Sequence, residues 1–239
     1  MHRFANPAKF NRLADAILPW AIMAAIAAFG FGLYYALFDS PADYQQGESV
    51  RMMYVHVPAA WAASSVYLFI AVTSFVALVW RHPLALLAGK AAAPIGATFT
   101  ALALFTGSLW GKPMWGTYWE WDGRMTSVLV LLFLYIGYMA IWQALDDEEK
   151  AGRAASILAL VGVVNLPIIK FSVDWWNTLH QGASVLREGG PSMPPEMQVP
   201  LYTMGIAYQL YFTVIVLWRM KLEINNRKIA VMQQAAIPE

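Results

Sequence analysis

The sequence predicts an all-α, polytopic membrane protein with six transmembrane helices, and three observations carry that expectation. Hydrophobic residues fill 59% of the 239 positions and charged residues only 13%, where an ordinary soluble domain is about a quarter charged. Uncharged apolar runs recur six times along the chain. Lysine and arginine gather in every second connection between those runs, the pattern by which positive charge orients membrane proteins.

The first run, about 16–38, is too long for a signal-peptide core and lacks a small-residue cleavage site, so it reads as an anchor that stays. The runs at about 57–80, 91–111, 125–145 and 197–218 also meet the roughly 20 residues a span needs. The fifth, about 154–170, is short and holds Asn165 and Pro167, with Lys170 at its end. Proline removes a helical N–H and crowds the preceding turn, so this helix is expected to kink or to end early. The acidic stretch Asp146-Asp147-Glu148-Glu149 reads as a solvated turn, and the polar tail 219–239 as frayed or loosely helical. The whole chain is expected to form a single membrane domain.

An even number of spans places both termini on one side. The N-terminus, the 81–90 and 146–153 connections and the tail carry eleven Lys/Arg; the remaining connections carry five. Both termini are therefore expected in the cytoplasm of a bacterial inner membrane. Segments 39–56, 110–125 and 170–196 then face outward, to the periplasm.

Composition excludes several function classes. With no cysteine there is no disulfide, no thiolate metal site, no cysteine nucleophile and no C-x-x-C-H for thioether-bound haem. No G-x-x-x-x-G-K-[ST] loop is present, so ATP cannot be bound in the P-loop manner, and no hydrolase motif is evident. No more than two Lys/Arg are adjacent, which argues against nucleic acid.

The outward segments hold the chemistry. Trp110, Trp115, Trp119 and Trp121 fall within the loop 110–124, together with Tyr118, Asp122 and Arg124. An interfacial aromatic belt accounts for one or two tryptophans per helix end; four in one short loop suit a flat apolar platform for a large planar ligand. Gly111, Pro113 and Gly116 argue against a regular helix through the first half of the loop. Of the four histidines, His2 and His82 fall on the cytoplasmic side, whereas His56 and His180 flank the Trp loop on the outer side. Neutral imidazole is a good axial ligand for haem iron, and a bis-histidine haem fits the pair. Zinc is the weaker reading, since two histidines with Asp122 supply few ligands. Trp175 and Trp176 precede His180; were that stretch helical, Trp176 would share its face. Arg124 and Lys112 are candidates for the haem propionates. Asp122 reads as the cap of the fourth helix or as an orienting group for a histidine.

At these residues a resemblance emerges. Trp115-Gly116-Thr117-Tyr118-Trp119-Glu120-Trp121-Asp122 matches the W-G-x-x-W-x-W-D signature of the haem-handling proteins of cytochrome c biogenesis. Its continuation Gly123-Arg124-Met125-Thr126-Ser127, with Tyr54-Val55-His56-Val57-Pro58 and Trp175-Trp176-Asn177-Thr178-Leu179-His180-Gln181-Gly182, resembles the CcmC family. The resemblance runs from roughly residue 10 to 220. It implies transient, non-covalent binding of haem b at the periplasmic face through His56, His180 and the Trp loop. It also implies delivery to the haem chaperone CcmE, and work alongside the transporter subunits CcmA and CcmB and the small membrane protein CcmD. A transmembrane haem channel, a structural subunit with idle histidines and an electron-passing cytochrome are the competing readings.

Overall fold

A computed structural model describes residues 6–180, 182, 184–185 and 187–235. His2 and Arg3, Gln181 of the third outer motif and the last four residues of the tail lie outside them. Among the described residues there are helices and no strands: α1 (Pro7–Tyr34), α2 (Met53–Trp80), α3 (Pro83–Trp115), α4 (Gly123–Ala144), α5 (Glu148–Gly162), α6 (Asn165–Trp175) and α7 (Pro195–Ala235). Six helical segments are long and apolar enough to cross a membrane, with α5 and α6 together forming one of them. The fold is therefore all-α, and the chain is a multi-pass membrane protein.

Sequence chemistry sets the helix ends. Asn6 caps α1 and Pro7 occupies its first position, where the missing N–H has no partner to lose. Arg81, at φ 48°, and His82 reverse the chain between α2 and α3, and Pro83 opens α3. Asp122 caps α4 through Met125 N–H at 2.7 Å, and Asp147 caps α5.

The fifth span breaks, as Pro167 led us to expect. α5 ends at Gly162, Val163 and Val164 form a turn, and α6 resumes at Asn165. Proline at 167 cannot donate to the Val163 carbonyl, which takes the Leu166 N–H at 3.0 Å instead. Asn165, buried beside the break, donates its side-chain N–H to the Ser127 carbonyl of α4 at 2.8 Å. The chain does not stop there; it continues helically to Trp175.

Two expectations fail. α3 runs through Gly111 and Pro113 to Trp115, so the first half of the Trp loop is helical. Pro113 gives up one helical hydrogen bond without ending α3, whose last residue is Trp115; Gly116, with φ 77°, closes it. The tail is not loose either: α7 is one continuous helix of 41 residues, about 60 Å at 1.5 Å per residue.

Small residues let the helices close. Ala62 and Ala63 of α2, Ala92, Ala93 and Gly96 of α3, and Ala155 and Ala159 of α5 bring backbones together, the usual packing device where lipid supplies no hydrophobic drive. Tyr67 and Tyr135 fill the interior edge-to-face, 5.1 Å between centroids. Tyr135 presses on Gly96 and donates to the Ala63 carbonyl at 2.7 Å. α2 and α3 form the most extensive pair, and α1 leans mainly on α7.

Ion pairs bind α7 to three other helices at the end of the bundle opposite the Trp loop. Lys221 pairs with Asp15, Glu223 with Lys90 at 2.9 Å and Arg227 with Glu148 at 2.9 Å.

Candidate functional site

The three segments read as outward-facing meet at one end of the bundle. Trp110 Nε1 donates to Gln46 Oε1 at 3.0 Å, joining the first segment to the second. Asp122 and His180 join the second to the third. Arg51 ties the first back to the short helical segment Tyr35–Asp39 that follows α1, donating to the Ala36 carbonyl at 2.7 Å.

His56 sits one turn inside α2. Its Nδ1 lies 2.9 Å from the Ala103 carbonyl of α3 and 3.2 Å from Thr106 Oγ1. A carbonyl only accepts, so Nδ1 carries the proton and donates. The ring lies against Gly107, where a methyl group would stand 2.8 Å from Cε1. Trp110 meets it edge-on, 5.7 Å between centroids.

His180 is built on the same plan. Its Nδ1 lies 2.7 Å from Asp122 Oδ2, and the Thr178 hydroxyl donates to the same oxygen. Thr178 Oγ1 also accepts the His180 backbone N–H at 3.1 Å. Trp115 meets the ring at 4.7 Å between centroids. Burial opposes ionisation of Asp122, but the donors Thr178, Met125 N–H and His180 outweigh it and hold its pKa below the ordinary value. Burial in turn pushes the His180 pKa down, against the support of Asp122, and Arg124 adds to the lowering. The expected geometry at pH 7 is therefore a neutral imidazole beside a carboxylate.

Both histidines thus have Nδ1–H committed to a protein acceptor. Neutral imidazole has one N–H, so each Nε2 keeps its lone pair. The pair flanks the end of α3, His56 against Trp110 and His180 against Trp115. Asp122 serves both roles weighed from the sequence at once, Oδ1 capping α4 and Oδ2 holding His180.

The aromatic platform is not flat. Trp119 and Trp121 meet at 74°, and the Trp–histidine pairs at 63° and 69°. Edge-to-face contact suits the ring quadrupoles, so the indoles form walls at angles to one another. Trp121 is 73% exposed, whereas Trp119 keeps its indole N–H buried with no partner among the described residues.

Trp175 and Trp176 are corrected in part. α6 ends at Trp175, and Trp176 is extended, so the stretch to His180 is not helical and no helical face is shared. Trp176 lies against Gly123 at the start of α4, and Trp175 stacks on Phe171. Arg124 is near Asp122 and Asp174; its terminal N–H reaches the Lys170 carbonyl at 3.5 Å, and its Nε is buried with no partner among the described residues. Lys112 is taken up locally by the Gly116 carbonyl at 2.9 Å and the Tyr118 ring. No cluster of three or more His, Asp or Glu suited to a metal ion occurs among the described residues.

Sequence reading missed Gln46, Thr106, Gly107 and Thr178. Thr178 lies two residues before His180; the other three act across the fold, and nothing in local sequence marks them.

The model of the family described as "Heme exporter protein C" matches residues 1–235. The chain belongs to the heme exporter protein C family. A family member from Bradyrhizobium diazoefficiens is 54% identical over 96% of this chain and 87% of its own. The protein of the same name from Escherichia coli K12 is 48% identical over 92% and 89%, and that of Paracoccus denitrificans 44% over 96% and 95%. The family match takes in all three loop segments and both histidines, so the site lies within the part of the chain shared with heme exporter C proteins.

Proposed function

We propose that the chain holds haem at the periplasmic face of the bacterial inner membrane during cytochrome c maturation and passes it to the haem chaperone CcmE. His56 and His180 are the axial ligands of the iron. The one observation that carries this reading is their shared tautomer: each donates Nδ1–H into the protein and keeps Nε2 for a metal, as iron-binding imidazole requires. Haem b is the cargo, held without thioether bonds because the chain has no cysteine.

Trp110 and Trp115 brace the ligands, and Trp119, Trp121, Trp175 and Trp176 line the apolar approach. Asp122 orients His180 rather than touching haem. Arg124 Nε and the Trp119 indole N–H are buried donors without a partner among the described residues, a fit for propionates. An exposed Trp121 leaves one side open, which suits handover better than storage. CcmA, CcmB and CcmD are the partners expected in the membrane, with any ATP hydrolysis supplied by the transporter. Both termini are placed in the cytoplasm by the balance of positive charge.

A haem channel through the bundle is the lesser reading, because Tyr54, Tyr67, Tyr135 and Tyr138 fill the interior. The test is haem content. His56→Ala and His180→Ala, each purified from haem-replete membranes, should lose most of their haem and change the iron spectrum. Full haem with an unaltered spectrum in both variants would refute the ligand assignment.

A further inference from the structure

The His56 imidazole lies along one stripe of α3. Ala103 and Thr106 face its Nδ1, Gly107 faces Cε1, and Trp110 meets the ring edge-on. Positions 103, 106, 107 and 110 share a single helical face, and Trp110 is the member nearest the outer end. A hydrogen bond at Nδ1 anchors the ring, but rotation about χ2 of histidine is soft, so the indole beside it limits how far the ring tilts. Trp110 is itself only half-buried, so packing leaves its indole incompletely fixed.

Gln46 supplies the further constraint. Its Oε1 lies 3.0 Å from Trp110 Nε1. An indole N–H only donates, so the amide presents its oxygen. The first outer segment is folded to aim that oxygen. Asp43 Oδ1 accepts the backbone N–H groups of Gln45 and Gln46 at 2.9 and 2.8 Å. The Ser49 hydroxyl donates to the Gln46 carbonyl at 2.7 Å. Gly47, at φ 56°, closes the turn through reciprocal backbone hydrogen bonds with Asp43. Tyr44 and Gln45 stay exposed on this turn, whereas Gln46 is half-buried against Trp110.

We propose that Gln46 is a positioning residue for the His56 half of the site: it fixes the Trp110 indole against the imidazole and so sets the plane that His56 offers to iron. The effect on iron rests on His56 being a ligand, as proposed above; the hold on Trp110 does not.

The first measurement needs no haem. Ultraviolet resonance Raman spectra of the full chain, taken with and without Trp110→Phe, isolate the Trp110 band that reports indole N–H hydrogen bonding. Gln46→Leu should move that band to the position of an unbonded indole. Gln46→Glu keeps an acceptor oxygen and should leave it bonded. In haem-loaded protein, Gln46→Leu should speed haem loss to apomyoglobin about two- to tenfold, the scale of one aromatic contact, and broaden the low-spin electron paramagnetic resonance signal. Gln46→Glu should restore both. The double variant Gln46→Leu, Trp110→Phe should lose haem no faster than Trp110→Phe alone, because the two residues act through one contact. Circular dichroism of the Leu variant confirms that it folds. An unchanged indole band overturns the proposal, and so do effects of Gln46→Leu and Trp110→Phe that multiply in the double variant. If His56→Ala keeps its haem, the ligand assignment fails and the link to iron with it, while the indole band still decides whether Gln46 holds Trp110.

Discussion

Asp122 shows how one side chain can serve two structures. One oxygen caps α4 and the other holds His180. Asp122→Ser keeps a competent cap but is too short to hold the imidazole, so helix content should stay while haem affinity falls about 10–100-fold, the usual effect of removing a group that orients a metal ligand. Equal haem affinity in the serine variant would show that His180 needs no such partner. The His180 pKa is lowered from the ordinary 6.5 by burial. A histidine whose folded pKa is depressed stays neutral, and able to bind iron, as pH falls through 6.5; it is protonated only at more acid pH. Haem retention should therefore be flat from about pH 8 to pH 6.5 and drop below that. Gly107 is the equivalent constraint on His56. Gly107→Ala favours the helix by about 1 kcal/mol, yet its methyl would stand 2.8 Å from the imidazole. We expect intact helix content with a displaced His56 and a haem spectrum that has lost one ligand, read by optical or resonance Raman spectra.

The broken fifth span depends on a single residue. Pro167 withholds an N–H from Val163, and the chain turns at Val163–Val164 before α6 begins. That turn sets where α6 ends, and thus where Trp176 leaves the helix towards His180. Pro167→Ala should close the break and slow amide exchange across 163–167 by hydrogen–deuterium mass spectrometry. Unchanged exchange would assign the break to the Asn165–Ser127 bond instead. α3 carries the opposite lesson: Pro113 in its last turn does not end it, and Gly116, three residues further on, does. Proline position within a helix matters more than proline presence.

The bundle holds the site at one end and a cluster of interhelical ion pairs at the other. Asp15, Lys90 and Glu148 each grip α7 there, while the chain that carries His180 leads into the first turn of the same helix. Orientation in the membrane follows from charge and is directly measurable in a chain free of cysteine. Ser184→Cys should react with a membrane-impermeant maleimide applied to spheroplasts, and Asn225→Cys should react only after lysis. The reverse labelling pattern would invert the topology and move the histidine site to the cytoplasm.

Span number and span position were readable from local sequence because a bilayer imposes a length and an apolarity that no soluble packing demands. The break near Pro167 was equally readable, since the missing N–H is a property of that residue alone. His56, His180 and the Trp loop stood out by residue type and by falling in alternate connections. Their partners did not. The Ala103 carbonyl, Thr106, Gly107 and Gln46 reach the site through the packing of α2 on α3 and of the first loop on Trp110. The angles between the indoles and the proton position on each imidazole are likewise products of contact. Composition and periodicity record what each residue prefers; which acceptor faces which donor is decided when helices distant in sequence meet.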